Sequence, residues 1–234
     1  MAKYFPLFFL LLFIHFEHVV AQNCLVSDNL TMSPAPTGGQ YPGGVLVQFC
    51  YNVSAWNQTG SNWLHGVIPT FGPGWDTSTL APLGQPPSLD GLGVWLWQNN
   101  VTGLNTGTTF TDYGWFYDSP LGGPLDGNPG NNFGDDGLAP WTFCFQIQTN
   151  AGFDCIDSSD LSVTINTLAD SESGAWTTSA CNTDPVYTFA ANLDCCTSSM
   201  GTVSADFCAD ELPIVIVGTP PGGILAGAGV SGSV

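Results

Sequence analysis

The sequence predicts an all-β protein: a β-sandwich or jelly-roll-like domain carrying long loops rich in Gly, Pro, Asn and Asp. Three observations predict it. Apolar residues come in short runs of strand length, turn residues fill the spaces between them, and helical periodicity is hard to find. Many short strands separated by Gly/Pro turns fit two packed antiparallel sheets.

The runs can be taken in chain order. Residues 45–53 alternate, with Val45, Val47, Phe49 and Tyr51 on one side and Leu46, Cys50 and Asn52 on the other. Residues 93–98 contain Val94, Trp95, Leu96 and Trp97, and residues 108–116 carry Phe110, Tyr113 and Trp115. Residues 141–148 place Trp141, Phe143, Phe145 and Ile147 on one face. Residues 161–168 do the same with Leu161, Val163, Ile165 and Thr167, and residues 185–190 add Val186, Tyr187 and Phe189. A period of two means one buried face and one solvated face. Two stretches, 57–90 and 118–140, read as long loops, and loops of that length in a compact domain are often functional.

The amino-terminal residues read as an export signal. Lys3 supplies the positive start, an apolar run covers residues 5–16, and Val19-Val20-Ala21 offers small residues for cleavage after Ala21. The run is shorter than the roughly 20 residues of a membrane span, and His15, Glu17 and His18 interrupt its end. Asn23 before Cys24 departs from a lipobox. The expected product is secreted or held at the cell surface, with no membrane insertion after cleavage.

Beyond Lys3 the chain has neither Lys nor Arg, and its formal charge is −18. Lys–carboxylate and Arg–carboxylate pairs, Schiff-base catalysis and bidentate Arg clamps are therefore excluded. Nucleic acid is excluded as a partner, because phosphate neutralisation needs Lys and Arg. Cations remain attractive. After cleavage His65 is the sole histidine, and Glu172 and Glu211 are the glutamates. Cys24, Cys50, Cys144, Cys155, Cys181, Cys195, Cys196 and Cys208 are disulfide candidates, an even number in an exported chain. Eight cysteines allow about 105 pairings, so connectivity stays open.

Residues 1–21 thus read as the signal, 22–196 as the sandwich, 197–207 as a linker, and 208–234 as the incomplete start of an immunoglobulin-like repeat. In that last stretch Cys208, the turn Pro220-Pro221-Gly222-Gly223, and Gly227-Ala228-Gly229-Val230-Ser231-Gly232 follow one another. This order resembles the opening of immunoglobulin-like or PKD-like repeats in large surface proteins of Bacteroidetes. Residues 62–76, 128–137, 141–147 and 170–185 resemble the amino-terminal module of such proteins. The resemblance implies export through the outer membrane and a role in adhesion, gliding or surface matrix. It implies no catalytic residues.

The favoured expectation is a non-catalytic adhesin or surface-layer component, with surface glycans or other surface proteins as partners. A carbohydrate-binding module is the alternative, with Trp63, His65 and Trp75 as ligand-binding candidates, because flat aromatic faces stack on sugar rings. The bland reading is that the eight tryptophans fill the core and that His65 is a packed loop residue. A glycoside hydrolase would need two carboxylates at a set separation, to be drawn from Asp118, Asp135, Asp136 and Asp170. Asp126, Asn128, Asn131, Asp135 and Asp136 gather oxygen ligands in one Gly-rich loop. Calcium, which takes about 6–8 oxygens, is the cation such a loop would hold, and a solvated turn region is the other reading. Asn29, Asn52, Asn57 and Asn100 sit in N-x-S/T sequons, which read as chance in a bacterial protein.

Overall fold

The computed structural model describes residues 23–58, 62–151, 159–177, 181 and 184–194, with the backbone of 199–200 and 218–219. In chain order its strands are β1 (Leu25–Ser33), β2 (Gln40–Tyr41), β3 (Leu46–Trp56), β4 (Leu64–Phe71), β5 (Trp75–Pro82), β6 (Val94–Gln98), β7 (Val101–Thr102), β8 (Thr109–Phe110), β9 (Gly114–Asp118), β10 (Trp141–Thr149), β11 (Val163–Ala169), β12 (Tyr187–Phe189), β13 (Asn192–Leu193), β14 (Ser199–Met200) and β15 (Gly218–Thr219). A 3-10 turn covers Pro129–Asn131, and a single helical turn, α1, covers Asp170–Ser173.

Two antiparallel sheets form the sandwich. One runs β1-β3-β10-β5 and the other β12-β11-β4-β9-β6. The alternation expected in β3 and β10 is what builds the interior. Val47, Phe49, Tyr51 and Val53 are buried from the first sheet's β3, with Trp141, Phe143, Phe145 and Ile147 beside them on β10. They meet Val163, Ile165, Val67, Trp95, Trp115 and Tyr117 of the opposite sheet. Aromatic rings interlock across the gap, with Trp95 and Phe143 at 4.7 Å and 78°.

The expectation of a loop over 57–90 is corrected, because β4 and β5 lie inside it. β4 escapes a period-two reading because Leu64, His65, Gly66, Val67, Ile68 and Pro69 are all buried. A strand covered on both faces does not alternate. Its outer face is covered by the 3-10 turn, α1, and a small cluster of Ile68, Val101, Phe116 and Leu168. The stretch 118–140 is the long loop expected between β9 and β10, holding the 3-10 turn as its only regular element among the described residues. The predicted run 108–116 is divided into β8 and β9 by a turn at 111–113.

Two disulfides are described. Cys24 and Cys181 join the first strand to the segment before β12, with Cα atoms 5.2 Å apart. Cys50 and Cys144 are opposite one another in the β3–β10 register, with Cα atoms 4.1 Å apart. Cys155, Cys195, Cys196 and Cys208 lie outside the described residues, as do the signal and most of 197–234. β14 and β15 pair with each other, joining backbone from the expected linker to backbone from the expected repeat.

The two bridges differ in access. Cys24 and Cys181 are each 1% exposed, whereas Cys50 is half-buried and borders a small groove beside Thr31 and Gln48. Under native conditions a thiol reductant followed by alkylation is expected to label Cys50 and Cys144 first. Mass spectrometry that finds Cys24 and Cys181 labelled first contradicts this placement. Replacing both Cys24 and Cys181 by Ser is expected to lower the unfolding free energy by about 2–5 kcal/mol.

Candidate functional site

Asp135 is the most heavily bonded side chain in the 118–140 loop. One carboxylate oxygen accepts from Asp90 N and Gly137 N, each at 3.0 Å. The other accepts from Leu89 N at 2.9 Å, Trp141 Nε1 at 2.9 Å and Trp95 Nε1 at 3.2 Å. The Asp135 backbone N–H donates to Leu64 O at 2.8 Å, which fixes the loop on β4. Gly134 and Gly137 permit the approach: a Cβ on Gly137 would lie 2.2 Å from Leu89 Cβ, and one on Gly134 would lie 2.7 Å from Leu64 O. Beside this centre, the Asp90 carboxylate accepts from the Tyr117 hydroxyl, and from Ser88 Oγ at 2.7 Å. Burial and the Asp90 carboxylate raise the Tyr117 phenol well above its ordinary range.

A second buried centre lies under α1. His65 Nε2 is 2.9 Å from Pro129 O, and Nδ1 is 2.7 Å from Ser173 Oγ. A carbonyl only accepts, so Nε2 carries the proton and the Ser173 hydroxyl donates to Nδ1. Burial lowers the His65 pKa to about 4 and raises the Asp170 pKa from 3.8 to about 8. Asp170 Oδ2 accepts a long bond from Gly134 N at 3.4 Å. Asp118 and Glu172 are also raised by burial. Serine, histidine and aspartate are the residue types of a hydrolytic triad. Here, however, the histidine proton rests on a backbone carbonyl, and a triad needs a carboxylate there. His65, Ser173 and Asp170 are each 0% exposed, which leaves a substrate no route to them.

The other sequence candidates are dispersed. Asp126, Asn128 and Asp136 are exposed and Asn131 is half-buried, while Asp135 points inward to its donors. Asp126 Oδ1 accepts from Asn128 N at 3.0 Å in a local turn. Among the described residues, one set of Cys, His, Asp or Glu brings three ligand atoms within 4.8 Å of one another: Cys24, Cys181 and Asp184. Its two sulfurs are bonded to each other, and the Asp184 carboxylate accepts from Cys24 N and Leu25 N at 2.6 and 3.0 Å. Trp75 is a core residue, 3% exposed, against Tyr41, Phe49 and Phe71. Trp63 is half-buried and packs with Phe133 at 5.8 Å and Trp176 at 5.6 Å.

A surface feature absent from the sequence reading opens at one end of the sandwich. It is a groove of about 380 Å³ with Phe71 and Leu80 among its apolar lining, and Thr77, Thr111, Asp112 and Tyr113 around them. Tyr113 is 46% exposed and lies against Trp97, with ring centroids 6.1 Å apart and planes at 14°. The signal available was Thr111-Asp112-Tyr113-Gly114, a polar turn with an aromatic in it, which periodicity alone assigns to a strand.

No protein-family model matches the chain, and no curated protein matches it.

Asp135→Asn sets an amide NH2 against N–H donors. Unsatisfied buried groups cost about 1–3 kcal/mol each, so the substitution is expected to destabilise by about 2–4 kcal/mol in denaturant melts followed by tryptophan fluorescence. A change under about 0.5 kcal/mol, the usual range for surface substitutions, contradicts a structural carboxylate here.

The buried pair sets a pH dependence. Asp170 is protonated in the fold up to about 8 but ionises near 3.8 when ordinary, so its contribution is complete below 3.8 and is lost as pH rises through 8. His65 is neutral in the fold down to about 4 against an ordinary 6.5, so its contribution is complete above 6.5 and is lost as pH falls through 4. The two slopes offset one another between those histidine values, and above them only the Asp170 slope remains. From pH 6.5 to 8 the wild type is expected to lose about 2 kcal/mol, at about 1.4 kcal/mol per pH unit, by urea unfolding. Asp170→Asn is expected to remove that loss, and equal slopes in both proteins contradict the assignment.

Proposed function

We propose that the chain is an exported, non-catalytic binding domain of a surface protein, of the adhesin or surface-layer kind. The observation that carries this reading is the fate of its reactive side chains. Asp118, Asp135, Asp170, His65 and Ser173 are all at most 1% exposed and held by internal hydrogen bonds. Of the four aspartates a glycoside hydrolase could draw on, Asp136 alone is exposed, and such chemistry needs two carboxylates at the substrate. Two disulfides fit an oxidising compartment, and no helix among the described residues is long and apolar enough to cross a membrane. The resemblance to Bacteroidetes surface proteins points the same way, and so does the export signal.

A carbohydrate-binding module is the second reading, favoured by the exposed Tyr113 held against Trp97. The test of the main reading has two arms. Beads coated with the mature chain are expected to be retained on polysaccharide-coated or cell-coated surfaces, and uncoated beads are not. The same protein is expected to release no product from a panel of chromogenic glycosides and esters. Turnover that disappears in Asp170→Asn or His65→Ala would replace the binding reading with a hydrolase.

A further inference from the structure

We propose that the groove between β5, the end of β4 and the 111–113 turn is a subsite for an uncharged saccharide, and this rests on the binding reading above. Tyr113 is the platform. One of its faces lies along Trp97, and the series continues inward through Trp97–Phe145 at 6.4 Å and 20° and Phe145–Phe49 at 5.4 Å and 24°. Trp97 backs one face of that ring, so less order is lost when a ligand settles on it than on a ring without such support. Phe71 presents a second apolar surface, held by Phe145 at 5.8 Å and Trp75 at 6.4 Å.

Around these rings stand Thr77, Thr111 and Asp112, whose side chains make no hydrogen bond to the described residues. They offer hydroxyl donors and acceptors and a carboxylate acceptor at the edge of an apolar floor. A pyranose has the same division, with an apolar C–H face and a rim of hydroxyls. At about 380 Å³ the groove is at the small end of ligand sites, which run to about 1,000 Å³.

Charge selects among saccharides. The groove contains Asp112 and no cation, on a chain with formal charge −18. Sulfated or uronate-rich glycans are repelled, and neutral ones are not. The local strand geometry selects against an extended peptide. Asp76 pairs with Gln148 and Ala81 with Gln146, so residues 77–80 bulge out of the β5–β10 ladder. Ser78 N donates to Asp76 Oδ1 at 3.1 Å, and Thr79 Oγ1 donates to Asp76 O at 2.6 Å. That edge is bent and partly bonded to itself, which blocks strand addition.

The test uses the purified mature chain on an array of neutral oligosaccharides and their sulfated counterparts, with calorimetry on the neutral oligosaccharides bound. Wild type is expected to bind neutral oligosaccharides and not the sulfated ones. Tyr113→Ala is expected to weaken that binding at least ten-fold, and Thr77→Trp to abolish it by filling the groove. Tyr113→Phe keeps the ring and is expected to bind within three-fold of wild type. Melting curves of all the variants show whether the fold is kept, and Thr77, being exposed, gives a second readout if Tyr113→Ala unfolds. Neutral-glycan binding unchanged in both Tyr113→Ala and Thr77→Trp overturns the subsite. So does preference for sulfated glycans, or a peptide displaced by Thr77→Trp. Coated beads that still adhere while no neutral oligosaccharide binds overturn the subsite and leave the binding reading standing. Beads that adhere to nothing overturn the binding reading itself.

Discussion

The carboxylate of Asp135 joins parts of the fold that no backbone ladder joins. A buried charge has to be matched by an opposite charge or by a full set of hydrogen bonds. Past Lys3 the chain has no lysine or arginine, so N–H donors must do it. Trp95 comes from the sheet that contains β6, and Trp141 from the sheet that contains β10. Leu89 and Asp90 come from the segment between β5 and β6, and Gly137 from the 118–140 loop. One anion therefore pins both sheets and two loops to a common point. The same loop then lays the 3-10 turn over β4, where Pro129 O receives the His65 proton. Without Asp135 the cover over β4 would have only Phe133, Asn132 and their neighbours to hold it.

The same constraint explains how the other acids are used. Without cationic side chains, many of the carboxylates turn to backbone amides or hydroxyls nearby. Asp184 caps the amides of Cys24 and Leu25, and Asp28 accepts from Tyr51 Oη at 2.6 Å. Asp118 accepts from Gly127 N at 2.7 Å, and Glu172 accepts from Ala169 N at 2.9 Å. Asp160 accepts from Ser162 N at 2.8 Å. These are acceptor roles that fix turns and strand ends, and each is neutral in its demands on the rest of the surface. Asp170 is the carboxylate most strongly shifted. Its remaining oxygen is buried without a partner, and burial answers by holding the proton on the carboxyl to about 8.

How far the sequence showed this depends on which faces are buried. β3 and β10 have one core face and one open face, so Val47, Phe49, Tyr51 and Val53 alternate with polar neighbours and are legible. β4 is covered on both sides, and its Gly66 and Pro69 look like loop residues, so it read as a loop. β1 pairs along the sheet edge through Asp28, Asn29 and Thr31, polar residues that carry no strand signal. The aspartates of the 126–136 loop were grouped by spacing, but spacing does not say which carboxylate points inward. Asp135 turns in because Gly134 and Gly137 let the backbone close on Leu64 and Leu89, a contact made across more than forty residues of chain. Tyr113 was visible as an aromatic, and only the break between β8 and β9 shows that it faces outward.

Burial and exposure divide the polar chemistry of this domain. His65 lies under α1, against its Ser173 and near its Asp170, where rearrangement would have to break the β4 cover. Tyr113 lies at the far end of an aromatic series that begins at Phe49 in the core. Packed aromatics have few alternative rotamers, so that series transmits the rigidity of the interior to the surface ring. Catalytic sites gain from acids and bases tuned by burial yet open to substrate. Among the described residues the shifted His65 and Asp170 are shut away from substrate, while the open ring of Tyr113 stands elsewhere, at the groove. That separation suits the binding reading proposed above, because holding a ligand needs only a preorganised surface and unspent hydrogen-bonding groups beside it.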